Sequence, residues 1–310
     1  MTDGNSRINW LMFLALGFMW GSSYLFIKLA VDDFGTFTLV GLRLLVGATF
    51  LWIVVRASRT PLPRVGRIYG HLIVMSVINI VLPFSLITWA EQSVDSALAA
   101  ILNSTVPLMV IVIAPLFLPE EPIRINGIVG LMIGFVGIVV IVSPGLAGAA
   151  GTAGIAGELA ILASSLTYAI GNVYNRRNVR GLPPLIPAVF QVTFALVIVG
   201  ILALVVERPW EAAPAQPDGW FSVLWLGILG SGLAYLAYFR LLGRWGATRT
   251  SMVAYLLPIV GIVLGFAVLQ EPIDGSLLLG TGLVIAGVAL VNGRWGRRRI
   301  FAPTPPIEPA

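Results

Sequence analysis

The sequence predicts an all-α polytopic membrane protein of ten transmembrane helices, arranged as two inverted five-helix repeats. Three observations carry that expectation. Of 310 residues, 58% are hydrophobic and 11% charged, whereas a soluble domain carries roughly a quarter charged residues. Apolar runs of about 20 residues follow one another almost without pause, each long enough to cross ~30 Å of hydrocarbon. The stretch Ser96 to Val142 returns from Ala247 to Asn292, with Pro258 answering Pro107. Leu269-Gln270-Glu271-Pro272 answers Leu118 to Pro122, and Gly280 and Gly287 answer Gly130 and Gly137. A duplicated membrane unit places its functional site between the copies.

Taken in order, Met1 to Arg7 is a short polar leader, and Ile8–Val31 is too long for a signal-peptide core, so it reads as a retained first helix. Spans follow at Thr36–Val55, Ile68–Ala90, Ser96–Leu118 and Gly127–Val142. The second set is Ile155–Asn175, Pro184–Val206, Trp220–Leu242, Thr248–Leu269 and Ser276–Asn292. The chain thus divides into residues 8–143, residues 155–293 and a basic, Pro-rich tail at 294–310, with an uncharged Gly/Ala link between the halves.

Orientation follows from the cations. With both termini cytoplasmic, 16 of the 19 Lys and Arg residues fall inside, in clusters such as Arg56 to Arg67 and Arg176 to Arg180. Only Arg208 falls outside, and Lys28 and Arg43 lie within spans; the opposite orientation would invert that ratio. Five crossings per half is odd, so the second half enters from the opposite face, the arrangement of alternating-access carriers. These membrane-flanking clusters also account for the high pI without nucleic acid. There is no cysteine and one histidine, His71, so neither a thiolate nor an imidazole metal site is expected, and no cofactor. The absence of a nucleophile–base pair disfavours an intramembrane enzyme. A channel or an inert scaffold is the remaining class.

Charge inside hydrocarbon is costly. Arg43 lies ~10 Å into its span at 1.5 Å per residue, and a guanidinium lining a cavity would favour a carboxylate or phosphate. Lys28 stands near the outer end of the first span, within reach of Asp32 or Asp33. Glu158, near the outer end of the sixth, is expected to reach interfacial water. As the sole carboxylate candidate in the membrane, it makes facilitated diffusion or exchange the expectation over tight proton coupling.

Pro83, Pro107 and Pro258 interrupt spans, and each removes a backbone donor and kinks its helix. Such defects are tolerated where protein or a wet cavity covers them. Asn79, Asn103 and Tyr255 stand beside these kinks. Tyr24, Tyr168, Tyr235 and Tyr238 are further in-span hydroxyls, each needing a partner or a substrate. Tyr24, Lys28, Arg43, Asn79, Asn103, Tyr168, Tyr235, Tyr238 and Tyr255 are therefore the candidate substrate-binding residues. Gly127, Gly130, Gly134 and Gly137 share one helix face, which reads as close helix packing or a weak homodimer contact on an otherwise monomeric chain.

Trp20-Gly21-Ser22-Ser23-Tyr24 with Lys28, and the paired Pro…Leu-x-Glu-x-Pro…Gly segments at Pro107–Gly137 and Pro258–Gly287, resemble EamA-type transporters of the drug/metabolite transporter superfamily. The resemblance covers residues 8 to 292. It implies ten helices in a basket around a central cavity, and export of small metabolites across the bacterial inner membrane. Within the family the chain looks most like YddG-type exporters of amino acids, aromatic ones included. Nucleotide sugars, phosphate esters and lipophilic cations are alternative cargoes. The first copy departs from the pattern in carrying Glu120-Glu121-Pro122, and the second in carrying Thr167-Tyr168-Ala169 where the first has Trp20-Gly21-Ser22.

Overall fold

In a computed structural model of the chain, residues 3–64, 66–117, 125–146, 151–179, 181–211 and 215–292 are described. The Leu118–Pro122 turn and the tail from Arg294 lie outside them. Every regular element among the described residues is helical. Among the described residues, seven helical segments are long and apolar enough to cross a membrane: Arg7–Phe34, Thr36–Ser58, Arg67–Ala90, Ser96–Phe117, Ala153–Asn175, Leu185–Glu207 and Pro217–Leu241. Three shorter apolar helices, Ile125–Ile141, Leu256–Leu269 and Gly275–Leu290, occupy the other expected spans.

The helices are α1 (Asp3–Phe34), α2 (Thr36–Ser58), α3 (Arg67–Ser76), α4 (Leu82–Ala90), α5 (Ser96–Asn103), α6 (Val106–Phe117) and α7 (Ile125–Leu146). They continue as α8 (Gly151–Asn178), α9 (Leu185–Leu202), α10 (Pro217–Trp225), α11 (Ala234–Ser251), α12 (Leu256–Leu264) and α13 (Gly275–Asn292). Gly35, at φ 74°, turns the chain from α1 into α2, a left-handed conformation that costs glycine nothing.

Each proline singled out in the sequence coincides with a break. A proline has no N–H to give the carbonyl four residues back, and its ring collides with that carbonyl. Ahead of Pro83 the helix widens into a π turn over Val77–Val81. Ahead of Pro107 it opens at Ser104 and Thr105, whose hydroxyls donate to the carbonyls of Ile101 and Leu102. Ahead of Pro258 a 3-10 turn spans Met252–Tyr255. α11 runs on to Ser251, directly ahead of that turn.

The glycine faces of α7 and α13 meet each other. A Cβ on Gly287 would lie 2.5 Å from the Gly130 carbonyl oxygen and 2.7 Å from the Gly134 nitrogen. Both are backbone atoms that no rotamer change can move aside. Gly287→Leu is therefore expected to cost several kcal/mol, about 3 or more by overpacking alone. A sharp fall in the thermal midpoint of the detergent-purified protein would register it.

A milder prediction concerns the start of α13. Asp274 Oδ1 accepts from Leu277 N and Ser276 Oγ, each at 2.7 Å. These bonds, the Leu277 amide first, hold the exposed carboxyl below its ordinary range. The sign follows: the cap contributes in full above about pH 4 and is lost as acid protonates it. Asp274→Ala should cost about 1 kcal/mol at neutral pH, and the two thermal midpoints should converge in acid.

Candidate functional site

Between the two halves, polar side chains converge among apolar ones. Arg43 of α2 is 4% exposed. Its Nε donates to Ser231 Oγ at 2.8 Å, and its guanidinium stacks 4.0 Å from the centroid of Phe84 on α4. Ser231 lies in the widened turn Leu226–Leu233, where small residues let α2 approach: a Cβ on Gly230 would stand 3.2 Å from Arg43 Nη2. Tyr168, Tyr235 and Tyr24 lie within electrostatic reach of the same guanidinium. Among the described residues no carboxylate forms an ion pair with it.

Tyr24 belongs to a second, linked group. Asn103 Nδ2 donates to Tyr24 Oη at 2.6 Å, and Ser165 Oγ of α8 donates to Asn103 Oδ1 at 3.2 Å. Asn103 can serve α1 and α8 together because the break before Pro107 ends α5 at that residue. Trp20 packs on Tyr238 and Tyr235, with centroids 5.3 and 6.3 Å apart. Five candidates, Tyr24, Arg43, Asn103, Tyr168 and Tyr235, are thus brought together, with Tyr238 at their edge. Asn79 stands apart, against Gly171 of α8. The Tyr255 side chain lies outside the described residues.

Lys28 does not reach Asp32 or Asp33. Its Nζ donates to the carbonyls of Glu91 at 2.7 Å and Val94 at 3.0 Å, closing the C-terminus of α4, where carbonyls lack helical partners. Asp33 instead accepts from the Gln216 amide at 3.1 Å. Glu158 is 4% exposed, and its Oε2 is enclosed without a hydrogen-bond partner among the described residues, so the side chain is buried and does not reach out to interfacial water. Nor is it the sole buried acid. Glu91, directly after α4, is 0% exposed, and burial pushes its carboxyl well above the ordinary range while the Lys28 ammonium pulls the other way.

Two further acids close helix ends. Glu271, 7% exposed, accepts from the amides of Ser96 and Ala97 at the start of α5, at 2.7 and 2.9 Å. Glu207 accepts from the amides of Phe37 and Thr38 at the start of α2, at 2.7 and 2.6 Å. Both carboxylates come from the second half and cap helices of the first. The Glu-Pro motif at Glu271 was visible in the sequence; nothing local announced its distant partner. Among the described residues no group of three or more His, Cys, Asp or Glu could hold a metal ion. A separate groove of about 710 Å³ between α2 and α9, lined by residues such as Leu45, Ile53 and Leu196, is almost wholly apolar.

The polar centre is enclosed by helices of both halves. The model of the EamA-like transporter family matches twice, over residues 8–143 and 155–293. The chain belongs to the EamA-like transporter family. It is similar to the uncharacterized transporter YoaV of Bacillus subtilis, at 25% identity over 93% of this chain and 97% of that one. It is also similar to the uncharacterized inner membrane transporter YedA of Escherichia coli K12, at 27% identity over 95% and 93%. Protein PagO of Salmonella typhimurium matches at 25% over 89% and 90%. One protein crystal structure superposes with a TM-score of 0.66 at 19% identity, covering 92% of this chain and 96% of that one, which shows a shared fold. The chain is therefore a polytopic membrane protein of a transporter family, and the family and relatives' names point away from an enzyme.

Proposed function

We propose that this transporter carries a small amphipathic carboxylate, an amino acid first among the candidates, outward across a bacterial inner membrane by alternating access. The observation that carries the reading is Arg43. A buried guanidinium with no ion-paired carboxylate among the described residues is unfavourable, and an incoming carboxylate would supply a direct partner in bidentate geometry. Tyr24, Asn103, Tyr168 and Tyr235 would bind the polar remainder, and the Trp20–Tyr238 face would accept a ring. A phosphate ester is the second reading, favoured by the same guanidinium; a lipophilic cation is disfavoured by it.

The accompanying architecture is ten crossings in two inverted five-helix units, with both termini cytoplasmic. Seven long and three shorter apolar helices, and two matches to one family model, support it. The cysteine-free chain makes the topology directly testable. Single cysteines replacing Thr60 and Asn178 should label from one face and one replacing Gln216 from the other. Function is tested in proteoliposomes by competition of unlabelled amino acids against a labelled one, with and without a pH gradient. Saturable, competable exchange supports the carrier. Flux restricted to phosphate esters would move the substrate class, and non-saturable flux would indicate a pore.

A further inference from the structure

Glu91 is enclosed completely, yet neither carboxylate oxygen has a hydrogen-bond partner among the described residues. The nearest cation does not remedy this, because Lys28 directs its ammonium at two backbone carbonyls, one of them Glu91's own. The charged and titratable groups around it are Lys28 and Tyr24 on α1, Arg43 on α2, and Glu271 from the turn before α13. Asp95, in the same turn as Glu91, faces Lys28 and Glu271, and α8, which packs on α4, carries Glu158. Arg43 acts on Glu91 only through space, its guanidinium being engaged by Ser231 and Phe84. With two further acids nearby and the one adjacent amine committed to carbonyls, no cation touches the carboxylate among the described residues.

An unpartnered, dehydrated carboxylate costs several kcal/mol, and such a group takes up a proton instead. A metal cation is not the ligand this place suits, since the Lys28 ammonium already holds the carbonyls a cation would use. Ionisation becomes favourable only if water reaches the side chain, which requires the packed end formed by α1, α4, α5 and the Glu271 turn to open.

We propose that Glu91 is a proton-binding site: its carboxyl holds a proton while this end of the molecule is closed and gives it to water when the end opens. On opening, the O–H bond breaks, the proton passes to solvent, and the carboxylate turns to the Lys28 ammonium. On closing, a proton from the same compartment returns. The link to opening rests on the alternating-access reading above; the proton site itself does not.

The test uses the full chain in proteoliposomes, as an infrared difference between wild type and Glu91→Gln, with labelled amino acid exchange followed alongside. Expected is the carbonyl band of a protonated acid at neutral pH, absent from Glu91→Gln and bleaching as the medium is made alkaline. Exchange should vary by up to about tenfold per pH unit in wild type and stay level in Glu91→Gln. No acid band at neutral pH, or equal pH dependence in both proteins, would overturn the proposal. Should Glu91→Gln fail to fold, Glu91→Asp should shift the pH at which the band bleaches, and an unshifted band would overturn it equally. A band with no exchange in wild type would leave the proton site standing and remove the carrier reading.

Discussion

Arg43→Gln is expected to keep the protein folded and raise the substrate KM by roughly 30-fold to 5,000-fold, the range for losing one partner of a buried charge pair. The protein should tolerate the change because the guanidinium makes one hydrogen bond, to Ser231, and has no carboxylate partner among the described residues. Removing an uncompensated buried charge relieves a desolvation cost, so the thermal midpoint of the empty carrier should hold or rise. Arg43→Lys keeps the charge and loses the planar fork and its stacking on Phe84, and should sit about tenfold above wild type. The check is KM by competition in proteoliposomes beside unfolding midpoints of the same preparations. A guanidinium that serves only to bridge helices would give the reverse pattern, a lower midpoint with KM unchanged.

Arg43 was legible in the sequence because depth alone makes an intramembrane cation conspicuous. The breaks at Pro83, Pro107 and Pro258 were legible too, since a missing N–H acts locally whatever surrounds it. Lys28 was found but misdirected: proximity in sequence favoured Asp32 and Asp33, whereas its partners are carbonyls of Glu91 and Val94, brought alongside by tertiary packing. Glu91 was missed because it stands one residue beyond an apolar run, where an acid normally meets water; only the fold buries it. Glu207 was missed for the same reason, and Glu271, visible in its repeated Glu-Pro motif, gave no sign of its partners; both acids bind amides over 160 residues away.

Glu271→Ala should produce the largest conformational effect. The first amides of α5 have no helical acceptor, and Asp95, at the capping position, makes no side-chain cap. Glu271 supplies the acceptors from the other half of the chain, and its negative charge suits a helix N-terminus. The bonds exist only while the two halves are together at this end, so losing them penalises the closed form more than an open one. Leaving buried amides unpaired costs about 1–3 kcal/mol, which moves an open–closed equilibrium by roughly 5-fold to 150-fold. The readout is thiol labelling of an Ala97→Cys variant, the sole cysteine in the chain. Labelling should accelerate by that factor in Glu271→Ala and by less in Glu271→Gln, which retains one acceptor. Glu207→Ala, which uncaps α2 at a separate point, should add to it nearly independently. A lowered thermal midpoint with unchanged labelling would make Glu271 a brace common to all conformations and not a latch on this one.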